Sequence, residues 1–149
     1  METEKLTAKG ENIVKKILVI EDETALRELL EMWLTSEGYE VLGRANGIDG
    51  VEAAFCFGPD LILCDISMPR LDGYGVCAQV HANEATASIP FIFVTAKTTP
   101  EDILKGTVLG ADHYLTKPFN LDNLSQVIQS SLVAKATQKQ ALSSSRVFA

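Results

Sequence analysis

Three carboxylates, a hydroxyl and a lysine stand at the ends of short apolar runs in this chain. Asp65 ends the run Leu61-Ile62-Leu63-Cys64 and is followed by Ile66-Ser67-Met68-Pro69. Glu21 and Asp22 follow Lys16-Ile17-Leu18-Val19-Ile20, Thr95 follows Phe91-Ile92-Phe93-Val94, and Lys117-Pro118 follows a fourth such run. A buried strand that ends in a polar residue aims it at the carboxyl edge of a sheet, where open α/β sheets bind their ligands. Acids, a hydroxyl and a lysine gathered there are the parts needed to bind a divalent metal and accept a phosphoryl group.

Gathering three carboxylates has a cost. At about 4 Å and an effective dielectric near 20, each like-charge contact opposes the cluster by roughly 4 kcal/mol as an upper guide. Such a cluster persists only if something neutralises it, and hard oxygen ligands with room for water suit Mg²⁺. Asp22 and Asp65 are expected as direct ligands, the backbone carbonyl of Ser67 as a third, and Glu21 as acting through a bound water. A solvated acidic rim is the bland alternative. Phosphoryl transfer needs an in-line nucleophile and positive charge around the equatorial oxygens. Asp65 is the expected nucleophile, with Mg²⁺, Lys117 and Thr95 each taking one phosphoryl oxygen. Singly, Lys117 reads as a surface lysine and Thr95 as an ordinary β-branched strand residue; their joint placement at strand ends favours the functional reading. The Lys117–Pro118 peptide is a candidate for the cis form.

The elements that must carry these residues alternate. A strand is expected over about Lys16 to Ile20, then a helix with Leu26, Leu29, Leu30, Trp33 and Leu34 on one face, stopped by Gly38. Tyr39 to Leu42 reads as a second strand, Asn46-Gly47 as a turn and Val51 to Phe57 as a helix closed by Gly58-Pro59. Leu61 to Cys64 is the third strand, with a helix near Tyr74 to His81 after the Asp72-Gly73 turn. Phe91 to Val94 is the fourth. Thr99-Pro100-Glu101-Asp102 starts a helix that Gly110 ends, Asp112 to Thr116 holds the fifth strand, and Leu121, Leu124, Val127, Ile128 and Leu132 mark the last helix. Short apolar strands alternating with amphipathic helices predict an α/β fold, a parallel sheet covered on both faces. Right-handed crossovers make it doubly wound, and the common five-stranded order is 2-1-3-4-5, a flavodoxin-like three-layer sandwich. That order sets the first and third strands side by side, so Glu21, Asp22 and Asp65 meet in one cleft.

Composition narrows the alternatives. The chain has 149 residues, 46% hydrophobic and 22% charged, the size and balance of one globular domain. Its net charge of −7 argues against a broad electrostatic grip on nucleic acid or anionic lipid. No stretch reaches the roughly 18 apolar residues of a membrane span, and the polar start is no secretory signal, so a cytoplasmic location is expected. Residues 1–14 read as a flexible arm, 15–133 as the folded domain and 134–149 as a polar tail or linker stub. Cys56, Cys64 and Cys77 match no zinc or redox spacing and are expected as small core residues. His81 and His113 lack metal-ligand spacing and are expected in solvent. Gly106, inside the fourth helix, weakens it by about 1 kcal/mol relative to alanine, as a soft spot or an unselected surface glycine.

With these residues in place, the chain resembles the receiver domain of two-component response regulators over about Lys16 to Leu132. The matching segments are Leu18-Val19-Ile20-Glu21-Asp22-Glu23, Leu63-Cys64-Asp65-Ile66-Ser67-Met68-Pro69 through Asp72-Gly73, Val94-Thr95-Ala96, and Gly110-Ala111-Asp112-His113-Tyr114-Leu115-Thr116-Lys117-Pro118-Phe119. The resemblance implies a bacterial-type phosphorelay in which a sensor histidine kinase or phosphotransfer protein donates the phosphoryl group to Asp65. It implies Glu21 and Asp22 as the acidic pair, Lys117 as the phosphate-binding lysine, and Thr95 with Tyr114 as a switch pair. Glu21 stands where aspartate is commoner, and Ser67 and Lys97 flank the path of attacking water.

The expected output is a protein contact made by the fourth helix, fifth strand and fifth helix, by a stand-alone or relay protein. The implied state is a monomer or a phosphorylation-dependent homodimer. The only catalysis expected is Mg²⁺-dependent phosphorylation and dephosphorylation of the domain itself. The alternative is the receiver part of a DNA-binding regulator whose output domain is absent here. No helix-turn-helix or basic patch is present, so direct nucleic-acid binding is not expected. A phosphatase with an aspartyl-phosphate intermediate would carry a second aspartate where Ser67 stands.

Overall fold

The computed structural model describes residues 5–6 and 12–147, with side-chain surroundings described for 13–137. Five strands form one parallel sheet: β1 (Lys16–Ile20), β2 (Glu40–Arg44), β3 (Leu61–Cys64), β4 (Phe91–Thr95) and β5 (His113–Thr116). Their spatial order is β2-β1-β3-β4-β5, as the sequence predicts. Five helices connect and follow them: α1 (Thr24–Ser36), α2 (Gly47–Cys56), α3 (Gly73–Ala82), α4 (Pro100–Val108) and α5 (Leu121–Val147).

The strand period of two sorts the sheet's side chains into two cores. Ile17, Val19, Leu61, Leu63, Ile92 and Val94 pack with Leu30 and Leu34 of α1 and with Leu124 and Ile128 of α5. Leu18, Ile20, Ile62, Cys64, Phe91 and Phe93 pack on the other face with Ala53 and Ala54 of α2 and with Tyr74, Val76, Cys77 and Val80 of α3. Both faces are covered, which is why β3 and β4 read as unbroken apolar runs. Phe91 and Phe93 are fully buried, each worth about 1.5–3 kcal/mol.

Several expectations are corrected. Asn46-Gly47 is a helix start rather than a free turn: the Asn46 Oδ1 accepts the Asp49 N–H at 2.9 Å, so α2 begins at Gly47. The arm contains a short antiparallel ladder pairing Lys5–Leu6 with Asn12–Ile13; residues 1–4 and 7–11 lie outside the described residues. α5 does not end where the composition turns polar at Ala134 but runs to Val147. Neither glycine nor proline interrupts it, and its alanine, lysine and glutamine are good helix formers. Residues 148–149 lie outside the described residues.

Cys64 and Cys77 are buried, but Cys56 is exposed, on the outward face of α2. His81 is half-buried, its Nδ1 2.9 Å from the Cys77 carbonyl oxygen and its ring beside Phe91. Gly106 is the one buried residue of α4. A Cβ there would press on the rings of Phe93 and Tyr114 at 3.1–3.2 Å, so this glycine is a point of close approach and not a surface accident.

Candidate functional site

Register explains how distant residues meet. Ile20 is opposite Cys64 and Thr95 opposite Thr116, so Glu21 and Asp65 leave the sheet side by side and Lys117 leaves it beside Thr95. The ladder continues one step beyond the strands: Asp65 N donates to Ile20 O at 3.0 Å and Lys117 N to Thr95 O at 2.8 Å. The loop after Asp65 folds back, with Gly73 N donating to Ile66 O at 2.8 Å. A side chain at Gly73 would collide with the Asp65 carbonyl, so α3 begins directly on the backbone of the central acid.

The carboxylate oxygens of Glu21, Asp22 and Asp65 converge, one from each lying within 4.8 Å of the others. Lys117 joins two of them: its Nζ donates to Glu21 Oε1 at 2.8 Å and to Asp65 Oδ2 at 3.0 Å. The second Asp65 oxygen accepts the Ile66 N–H at 2.6 Å, and the second Glu21 oxygen accepts the Glu23 N–H at 3.1 Å. Glu21 and Asp65 are buried, whereas Asp22 is exposed and has no hydrogen-bond or ion-pair partner among the described residues. Burial raises the Glu21 carboxyl above its usual range despite the hydrogen bond from Lys117. Burial pulls the Lys117 ammonium down, but hydrogen bonds from it to Glu21 and Asp65 outweigh that and raise it. The Lys117–Pro118 peptide is cis.

The hydroxyl side is arranged differently. Thr95 is buried, and its Oγ1 accepts the Lys97 N–H at 3.3 Å. Tyr114 is half-buried beside Phe93, and its hydroxyl donates to the Lys97 carbonyl at 2.7 Å. Thr95 and Tyr114 are thus joined through one residue of the β4–α4 loop and not through the acids. Ser67 and Lys97 are exposed at the rim.

Two contributors escaped the sequence reading. Arg27, one turn into α1, donates from Nη1 to the Glu21 carbonyl at 2.8 Å and pins the β1–α1 loop. Tyr74, at the start of α3, donates to the Asp102 carbonyl of α4 at 3.0 Å. Arginine and tyrosine at such places carry no motif; only the tertiary approach of another backbone gives them a role.

The donor set suits a small hard cation: three carboxylates with no sulfur or imidazole among them, and one, Asp22, without a partner among the described residues. A cleft of this kind at the switch point of a doubly wound sheet defines a small polar, cation-suited site at the carboxyl edge of the strands rather than a pocket for a large apolar ligand. The chain belongs to the response regulator receiver domain family, whose model matches residues 17–129.

The relatives agree in fold and differ in context. Over 109 residues the chain is 38% identical to a DNA-binding dual master transcriptional regulator, RpaA, of Synechocystis sp., covering 73% of this chain and 45% of that protein. The chain spans about half the length of the curated relatives it matches. A CheY-like receiver domain protein of Methanospirillum hungatei superimposes with a TM-score of 0.80 at 28% identity, covering 85% of this chain and 99% of that one. The receiver domain of the sensor histidine kinase PA1611 of Pseudomonas aeruginosa, which has a magnesium ion coordinated in its active-site cleft, does so with a TM-score of 0.75 at 32% identity, covering 80% of this chain and 98% of that one. Among the described residues no helix is long and apolar enough to cross a membrane.

Proposed function

We propose that Asp65 accepts a phosphoryl group from the phosphohistidine of a sensor kinase or phosphotransfer protein. One Asp65 oxygen attacks phosphorus in line, the P–N bond breaks, and the electron pair returns to the imidazole. The observation that carries this reading is the position of Asp65, buried at the switch point with Oδ2 3.0 Å from the Lys117 ammonium and its neighbours Glu21 and Asp22 converging on it. Lys117 moves from pairing two carboxylates to pairing a phosphoryl oxygen. The Ile66 N–H holds the other Asp65 oxygen and so fixes the direction of attack. Thr95 supplies a hydroxyl donor to a phosphoryl oxygen once it gives up Lys97, and Tyr114 follows that loop. Asp22, Asp65 and the Ser67 carbonyl would hold Mg²⁺, with Glu21 acting through water. When bound, the metal supplies positive charge against the developing phosphoryl charge.

The reading is tested by incubation with Mg²⁺ and acetyl phosphate followed by intact-mass analysis. One phosphoryl group on the wild type and none on Asp65→Asn is the expected outcome; labelling retained in Asp65→Asn would place the site elsewhere.

The output is a protein contact on the face of α4, β5 and α5, where Leu104 and Val108 of α4 are exposed. A second reading, the receiver part of a DNA-binding transcriptional regulator, is supported by the names of the curated relatives and by the half-length match. Solution molar mass with and without phosphodonor separates the two. Dimerisation on phosphorylation favours the regulator, and an unchanged, fully phosphorylated monomer favours a stand-alone messenger or relay.

A further inference from the structure

The segment from Thr95 into the first turn of α4 is tied down at three points. The Thr95 hydroxyl oxygen accepts the Lys97 N–H, the Tyr114 hydroxyl donates to the Lys97 carbonyl, and the Tyr74 hydroxyl donates to the Asp102 carbonyl. The first two belong to β4 and β5. The third comes from α3, a helix to which no role in switching has yet been given.

Building on the phosphoryl-acceptor reading, we propose that Tyr74 is a positioning residue of the switch: with Tyr114 it forms a two-hydroxyl latch that holds the β4–α4 segment in its resting place. Tyr74 is 7% exposed, and its ring meets Phe93 edge-on at 5.7 Å. The Lys105 ammonium of α4 lies 4.4 Å above the same ring, so the side chain grips α4 by backbone and by charge. Gly106 lets α4 come close enough for both contacts, because a Cβ there would press on Phe93 and Tyr114.

Each hydroxyl of the latch gives its one proton to a backbone carbonyl of the segment, Tyr74 to Asp102 and Tyr114 to Lys97. The latch also lies close to the chemistry: α3 begins at Gly73 on the backbone of Asp65, one residue before Tyr74. A phosphoryl group that draws the Thr95 hydroxyl away from Lys97 pulls on the residue that Tyr114 holds. Release of Tyr74 from Asp102 then frees the start of α4.

The test is hydrogen exchange on the unphosphorylated chain as wild type, Tyr74→Phe and Lys105→Gln. Tyr74→Phe keeps the ring and removes one hydrogen bond. Amides of 97–108 are expected to exchange about five- to tenfold faster, with those of β4 and the body of α3 unchanged. Lys105→Gln leaves the hydroxyl in place and is expected to raise exchange in the same segment about two- to threefold. Tyr74→Phe is also expected to take phosphate from acetyl phosphate onto Asp65 faster than wild type. Unchanged exchange at 97–108, or an equal rise through α3 and β4, would overturn the latch. Faster exchange without faster labelling would overturn its part in switching. Absence of any label on wild-type Asp65 would instead sink the phosphoryl-acceptor reading, which the exchange comparison, made without phosphodonor, does not depend on.

Discussion

α3 and α4 are neighbours of nearly equal length held by different means. α3 has ten residues and buries five of them, Gly73, Tyr74, Val76, Cys77 and Val80. α4 has nine and buries only Gly106, while Ile103, Leu104 and Val108 face solvent. α3 is anchored by apolar area, at roughly 25 cal/mol per Å². α4 is held by a capping box, a tyrosine hydroxyl, a lysine over a ring and a glycine contact, each worth on the order of 1 kcal/mol. A segment held by a few such contacts opens locally far below the cost of global unfolding. The helix that starts against the backbone of Asp65 is therefore the rigid one, and α4, on the proposed output face, is the movable one.

The largest test uses one substitution in both helices. Val80→Asp buries a carboxylate in the α3 core, where Val80 is 0% exposed, and is expected to cost more than about 4 kcal/mol or to prevent folding. Val108→Asp, on a residue 76% exposed, is expected to change stability by no more than about 0.5 kcal/mol. Urea unfolding measures both, and similar losses would end the contrast between the helices.

Charge extends the contrast to two lysines. Lys117 joins two buried carboxylates, and Lys117→Met leaves them facing each other; a loss of about 2–4 kcal/mol is expected at neutral pH. The exposed Lys105 only covers a ring, and Lys105→Met is expected to cost about 0.5–1 kcal/mol. The pH dependence has a definite sign. The folded-state Lys117 ammonium is raised above 10.5, so its contribution is complete below that pH and is lost above it. Glu21 is raised above 4.5, so stability from its protonated form is present below that value and is lost as pH rises through the folded value. Lys117→Met should therefore regain stability relative to wild type as pH falls into the carboxylate range. Urea unfolding at several pH values reads this, and a pH-independent loss would mean that the lysine acts by packing alone.

Gly106 tests whether α4 depends on closeness. Gly106→Val must push against Phe93 and Tyr114, and a loss of about 1–3 kcal/mol is expected, against a helix-propensity gain of less than about 1 kcal/mol. A stabilised variant would show that α4 can move outward freely, which would sharpen the picture of a loosely held helix while removing the need for a glycine.

What was legible beforehand follows the same division. The strand order and the meeting of Glu21, Asp22 and Asp65 could be read because strand ends and apolar periodicity are local signals, and the switch point follows from connection rules. Gly106, Arg27 and Tyr74 could not, because each acts on a backbone or ring brought in from another element. Asn46-Gly47 misled because the same dipeptide serves a turn or a cap, and only the Asp49 N–H decides between them. The polar stretch after Ala134 misled because polarity says how a helix is solvated, not whether it forms.

The smallest test compares two caps. Asp72 Oδ1 accepts the Gly75 N–H of α3 at 2.9 Å, and Thr99 Oγ1 accepts the Asp102 N–H of α4 at 3.1 Å. Replacing either residue by alanine removes a cap worth about 1 kcal/mol. In α3, whose first turn is buried on the Asp65 backbone, the helix cannot fray without opening the core, so Asp72→Ala should lower global stability by nearly the full amount. In α4 the first turn can open alone. Thr99→Ala should leave the urea midpoint almost unchanged and instead raise amide exchange at 99–103 by roughly fivefold. If Thr99→Ala shifted the midpoint as much as Asp72→Ala, α4 would be unfolding together with the core and could not respond alone to an event at Asp65.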